Sequence, residues 1–199
     1  MRNSGELTAS HQKALYAATH EAERCKHLLN DLLDMSRGKE AGIKLSLQSV
    51  DVLPVLMAAA RKATRCLDAI VDIDCKMMPH QRIAMVDHDH LEQVIYNLVE
   101  NNSKYANHQQ PIELSIEAHP SKRQLAIRVS DYGKELTSRE RDQIFNPFFR
   151  AQNANGKVGS GLGLYFVRSM METMNGRVSA VARNGGGLEV TICVPTGKS

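Results

Sequence analysis

Six residues late in the chain, Gly159-Ser160-Gly161-Leu162-Gly163-Leu164, constrain its fold more than any other segment. They follow a Gly- and Asn-rich stretch, residues 146–158, that has no hydrophobic periodicity, and they open a helix expected over residues 162–174. Glycines ahead of a helix N-terminus let backbone amides and the helix dipole face an anion. The run is not a Walker A loop, because no Lys-Ser or Lys-Thr follows it. It is not a dinucleotide fingerprint either, because it lies outside a βαβ unit.

Upstream, the pattern alternates. Residues 43–50, 71–75 and 82–86 read as strands, and residues 53–67 and 90–105 as helices. Residues 111–118 and 124–130 alternate with period two and predict paired strands with a turn near Pro120. A short helix follows at 137–144. After the helix at 162–174, closed by Asn175-Gly176, residues 177–182 and 188–194 predict a hairpin around Gly185, Gly186 and Gly187. The expected fold class is α/β: a two-layer sandwich of a mixed, mostly antiparallel sheet covered by helices.

Before this domain, residues 8–37 predict one long helix. Apolar or small residues fall at Leu15, Ala18, Ala22, Cys25, Leu29 and Leu32, the spacing of a heptad seam, and Gly38 and Gly42 end the pattern. Such a helix either packs on its own domain or is half of an antiparallel hairpin that dimerises into a four-helix bundle.

Composition excludes several classes. The net charge of +3 comes with scattered Lys and Arg, and Trp is absent, so neither a basic stripe nor a stacking platform for nucleic acid is present. Cys25, Cys66, Cys75 and Cys193 form no CxxC pair, which argues against a zinc site and for a reducing compartment. The longest apolar run, residues 52–60, is far short of the roughly 20 residues of a membrane span.

Two further groups carry chemistry. In the helix at 90–105, Leu91, Val94, Ile95 and Leu98 form one stripe, and Asn97, Asn101 and Lys104 a second. The polar stripe is either a solvated helix face or a ligand set: amide oxygens suit Mg²⁺, and a lysine one turn away suits phosphate. Asp131-Tyr132-Gly133 ends an apolar strand; its carboxylate can accept from an exocyclic amine, and its glycine lets the backbone approach a ligand.

Taken in order, four blocks resemble the signature of sensor histidine kinases of two-component systems, within the Bergerat (GHKL) superfamily. Asn97-Leu98-Val99-Glu100-Asn101 with Lys104-Tyr105 is similar to the N box, and Asp131-Tyr132-Gly133 to the start of the G1 box. Ile144-Phe145-Asn146-Pro147-Phe148-Phe149-Arg150 is similar to the F box, and Gly159 to Leu164 to the G2 box. Asn30-Asp31-Leu32-Leu33-Asp34-Met35-Ser36-Arg37 resembles the end of a second dimerisation helix.

The resemblance implies residues 1–40 as part of a dimerisation domain and 43–199 as the catalytic ATP-binding domain. It implies ATP and Mg²⁺ as cofactors, with Asn101 on the metal and Asp131 on adenine. Asn97 and Lys104 would be catalytic, and Lys104 and Tyr105 would meet phosphates or ribose. Gly133 would allow close approach of the nucleotide, Gly159, Gly161, Leu162 and Gly163 would cradle the phosphates, and Arg150 would add a charged contact. Residues 146–158 would be a mobile lid packed by Phe145, Phe148 and Phe149. The implied partners are a dimerisation domain carrying the phosphoacceptor histidine, a response regulator receiver domain, and a second copy through residues 8–37. The parent would be membrane-anchored, with this part cytoplasmic.

Three departures stand out. No histidine sits in a phosphoacceptor box: Gln12 follows His11, Leu28 follows His27, and His20-Glu21 lacks the later box residues, so the acceptor is expected upstream. Glu135 replaces the second glycine of the G1 box, which predicts weakened ATP binding. Asn102 stands where a small residue is usual, and a core-facing amide there needs partners. A related ATPase would carry a glutamate at Asn97 to activate water; an amide cannot act as a general base, so slow hydrolysis is expected. The alternatives are a degenerate module that does not turn over ATP and an anti-sigma-type serine kinase.

Overall fold

The computed structural model describes Thr8, His11, Leu15, Thr19 and residues 44–105, 110–118, 123–151 and 160–197. The chain divides into two compact units, Met1–Ile43 and Lys44–Ser199. In the first, His11, Leu15 and Thr19 are helical. The Thr8 hydroxyl oxygen accepts from the His11 N–H at 3.3 Å, the contact of an N-cap. Leu15 is 59% exposed. The remaining seam positions, Ala18, Ala22, Cys25, Leu29 and Leu32, lie outside the described residues.

The second unit is a two-layer sandwich. Its main sheet holds β2 (Val71–Asp74), β4 (Ile112–Ala118), β5 (Gln124–Ser130), β7 (Leu188–Pro195) and β6 (Arg177–Ala182), in that spatial order. The β2–β4 pair is parallel and the other three are antiparallel. A separate antiparallel pair joins β1 (Gln48–Asp51) to β3 (Ile83–Val86).

Register explains the layering. Leu114, Val129 and Val190 stand in one cross-strand row, and Ile116, Ile127 and Ile192 in the next, all nearly or fully buried. The alternate rows, Glu113–Ser130–Glu189 and Ser115–Arg128–Thr191, are polar. One face is therefore apolar and the other charged. Three helices bring their own apolar stripes: α1 (Val52–Leu67), α2 (His88–Tyr105) and α4 (Gly163–Thr173), with α2 packed against both others.

Capping sets the helix starts. Asp51 caps α1, accepting from Leu53 N–H at 3.1 Å while its carboxylate takes a forked pair from Arg82 at 2.8 and 3.0 Å. Asp87 caps α2, accepting from His90 N–H at 3.1 Å and from Ser46 N–H at 2.8 Å. That cap starts α2 two residues before the expected His90. Thr137 and Glu140 form a reciprocal capping box on α3 (Ser138–Gln143). The strand expected at 43–50 is shorter, beginning at Gln48, and a single 3₁₀ turn, Pro79–Arg82, precedes β3. Among the described residues no helix is long and apolar enough to cross a membrane.

Candidate nucleotide-binding site

The polar stripe of α2 is real and partly withdrawn from solvent. Asn97 is buried, while Asn101, Lys104 and Tyr105 are half-buried. Asn97 Oδ1 accepts from Gln93 Nε2 at 3.5 Å. The Asn101 side chain makes no hydrogen bond among the described residues, so its oxygen retains its lone pairs for a hard cation. Lys104 Nζ lies 2.8 Å from Glu100 Oε1, and that carboxylate is itself buried. Glu100 went unread as a site residue in the sequence, although its i, i+4 spacing to Lys104 was there to see.

Asp131, at the end of β5, is 3% exposed. Its Oδ1 accepts from Gly133 N–H at 2.7 Å and from Leu188 N–H at 3.2 Å. Oδ2 accepts no hydrogen bond among the described residues. Burial pushes the Asp131 carboxyl above its ordinary pKa, opposed by those two N–H groups and by Arg183. The arrangement leaves one fixed, dry acceptor suited to an amine donor. Gly133 holds the neighbouring backbone close: a Cβ there would stand 2.6 Å from Tyr105 O, which brings the end of α2 against the G1-like turn. Gly187 closes the other side with φ +100°, and a Cβ on it would sit 2.1 Å from Asp131 O.

The described glycines of the run, Gly161 and Gly163, lie at the start of α4. Gly161, at φ +74°, accepts through its carbonyl from Phe148 N–H at 3.1 Å, which ties the two ends of the intervening loop together. Phe148 is itself left-handed, with φ 62°, and 62% exposed, whereas Phe145 is buried. Helix α4 starts on Leu162 with no side-chain cap from that residue, unlike α1, α2 and α3, and the Leu162 N–H donates to Ser160 Oγ at 3.4 Å. A Cβ on Gly163 would meet nothing within 4 Å, which leaves the space beside it open. Gly159 lies outside the described residues, and Arg150 is exposed beyond Phe149.

Asp131, Gly133 and Tyr105 are thus adjacent. Tyr105 belongs to the helix that carries Asn97, Asn101 and Lys104, and that helix packs on the one opened by Gly161, Leu162 and Gly163. Glu135 is exposed and its φ is not left-handed, so the glycine it replaces is not required there by backbone geometry. The conformational half of the expectation for Glu135 falls away; the charge remains. Sequence reading missed Glu113 and Arg183, which surround Tyr132. The two residues are 70 apart in sequence, and only the sheet register brings them together.

The fold is the two-layer sandwich found in histidine kinase catalytic domains. The chain belongs to the family of histidine kinase-, DNA gyrase B-, and HSP90-like ATPases, whose profile matches residues 86–198. It is homologous to sensor histidine kinases. It is 27% identical over 186 residues to the sensor protein kinase WalK of Staphylococcus aureus (strain MRSA252), covering 91% of this chain and 30% of WalK. It is 26% identical over 196 residues to the sensor histidine kinase MtrB of Mycolicibacterium paratuberculosis, covering 97% of this chain and 34% of MtrB. The chain thus spans about a third of the length of these relatives. Full-length ShkA in complex with AMPPNP shares the fold, with a TM-score of 0.70 and 24% identity over 98% of this chain and 41% of ShkA. The catalytic domain of histidine kinase ThkA does so with a TM-score of 0.64 and 17% identity, over 76% of this chain and 97% of that domain.

Proposed function

We propose that this chain is the ATP-binding catalytic part of a sensor histidine kinase and transfers the γ-phosphate of ATP to a histidine outside this sequence. The observation that carries the reading is Asp131: a buried carboxylate with one oxygen fixed by two backbone N–H groups and the other open to the exocyclic amine of adenine. Asn101 would hold Mg²⁺ through its amide oxygen, and that ion would supply charge neutralisation at the phosphates. Lys104 leaves Glu100 to meet a phosphate, and the uncapped start of α4, with Gly159, Gly161, Leu162 and Gly163, binds phosphate oxygens through N–H groups. Gly133 and Tyr105 bound the pocket between base and phosphates, and Arg150 closes over it from the loop.

In the transfer, an imidazole nitrogen attacks the γ-phosphorus and the bond to the β,γ-bridging oxygen breaks, releasing ADP. Asn97 occupies the position from which a carboxylate would activate water; an amide there keeps hydrolysis slow, so the phosphoryl group waits for the histidine. Residues 1–40 supply one dimerisation helix and residues 43–199 the catalytic domain. The acceptor histidine belongs to a dimerisation domain, from this protein or its dimer partner, and a response regulator receives the phosphoryl group next. The parent protein is membrane-anchored with this part cytoplasmic, as befits a sensor.

The test supplies γ-labelled ATP, Mg²⁺ and a separate dimerisation domain bearing the acceptor histidine. Acid-labile, base-stable label on that domain is expected. Acid-stable label on a serine protein, or brisk ATP hydrolysis without transfer, contradicts the proposal. A second reading, a kinase-like module without turnover, is favoured by the exposed charge of Glu135 and by the hold of Glu100 on Lys104; it predicts no label at all.

A further inference from the structure

The residue after Asp131 sits in a network that no nucleotide contact explains. Tyr132 donates its hydroxyl to Glu113 Oε1 at 2.7 Å. The Arg183 guanidinium carbon lies over the Tyr132 ring, 3.6 Å from its centroid. One Arg183 nitrogen donates to Glu113 Oε2 at 2.7 Å and to the Tyr132 hydroxyl at 2.6 Å. The other reaches the carbonyl oxygen of Asp131 at 3.3 Å. The Arg183 side chain is only 16% exposed. Its backbone closes the β6–β7 turn, donating to Gly187 O at 3.2 Å and accepting from Gly186 N–H at 3.1 Å. Leu188, just beyond that turn, supplies one of the two N–H groups that fix Asp131 Oδ1. Three strands, β4 through Glu113, β5 through Asp131 and β7 through Leu188, therefore converge on the peptide that carries the base-reading carboxylate.

We propose that Arg183 is a positioning residue for base recognition: with Tyr132 and Glu113 it clamps the main chain of Asp131, so that discrimination for adenine depends on a side chain that does not touch the nucleotide. The inference rests on the reading of Asp131 as the adenine acceptor. The electrostatics agree with the clamp. The Tyr132 hydroxyl and Arg183 hold Glu113 below the ordinary carboxylate range against the opposing effect of burial. Burial opposes the charge on Arg183, yet Glu113 and Tyr132 keep it firmly protonated. Arginine is the fitting residue, since a lysine would supply neither the planar stack nor the fork.

The experiment titrates the whole chain with Mg-ADP and Mg-IDP, which differ at the base in an amine against a carbonyl. The unmodified chain should prefer ADP, because Asp131 accepts from the amine and repels the carbonyl. Arg183→Ala should raise the Kd for ADP about tenfold, the value of one well-placed charge-assisted hydrogen bond, and leave that for IDP within about twofold. Arg183→Lys should follow the alanine variant. Glu113→Gln, at a side chain 41% exposed, carries less risk to folding and should narrow the preference in the same direction. An ADP-to-IDP ratio unchanged in all three variants overturns the inference, including the case in which both nucleotides weaken equally. An unmodified chain that binds both nucleotides equally overturns the reading of Asp131 itself, before any variant is made.

Discussion

Among single residues, Asn102 stands apart. It falls on the stripe of Leu91, Ile95 and Leu98 in α2, is 1% exposed, and neither its amide nitrogen nor its oxygen has a partner among the described residues. A buried amide left unpaired costs about 1–3 kcal/mol. Asn102→Ala should therefore raise stability by roughly 1 kcal/mol after the small loss of packing volume, read as a higher denaturant midpoint at unchanged slope. A lower midpoint would mean that the amide has partners in solution. Glu135 invites a different comparison. Because its backbone is in an ordinary conformation, only its charge can oppose a triphosphate. Glu135→Gln and Glu135→Gly should tighten Mg-ATP binding alike, by about 0.2–1 kcal/mol, the value of an exposed charge interaction. Tightening by glycine alone would restore the backbone argument.

At the scale of elements, the caps govern stability and its pH dependence. Burial works against the charge on Asp87, but His90 and the N–H groups of His90 and Ser46 hold its carboxyl below the ordinary pKa. A depressed folded-state pKa contributes stability that is present above the unfolded value and lost as pH falls through the folded one. Asp87→Ala should cost about 1–2 kcal/mol near neutrality. The gap between the two proteins should begin to narrow as pH falls through the ordinary carboxylate value, about 4, and close only as it passes the lower folded-state value. A gap that persists at low pH would assign the effect to packing instead.

The same elements mark what the sequence reveals. The helix and strand order and the hairpin around three glycines follow from periodicity and turn residues, which are local. The start of α2 lies two residues before the expected His90, because the Asp87 carboxylate accepts from His90 N–H and caps the helix there. The parallel β2–β4 pairing, and the meeting of Glu113 with Arg183, depend on contacts far apart in sequence. Of the candidate site, Asp131, Asn101 and the glycine run were legible as motifs. The neighbours Leu188 and Arg183 were not, because nothing in their local spacing distinguishes them from core or surface charge; Glu100 carried only its i, i+4 spacing to Lys104.

For the molecule as a whole, the proposal is that the end of the central strand β5 and two helix ends converge on Mg-ATP, with Asp131 reading the base and Asn101 the ion. On that proposal the nucleotide lies at the rim where β5 ends, α2 ends and α4 begins. The most direct test is calorimetric titration with a non-hydrolysable ATP analogue, with and without Mg²⁺, for the unmodified chain and for Asp131→Ala. Saturable, magnesium-dependent binding that weakens at least about tenfold in Asp131→Ala is the result predicted for loss of a buried charge-assisted contact. Binding of equal strength in the variant, or none to the unmodified chain at millimolar nucleotide, would contradict it.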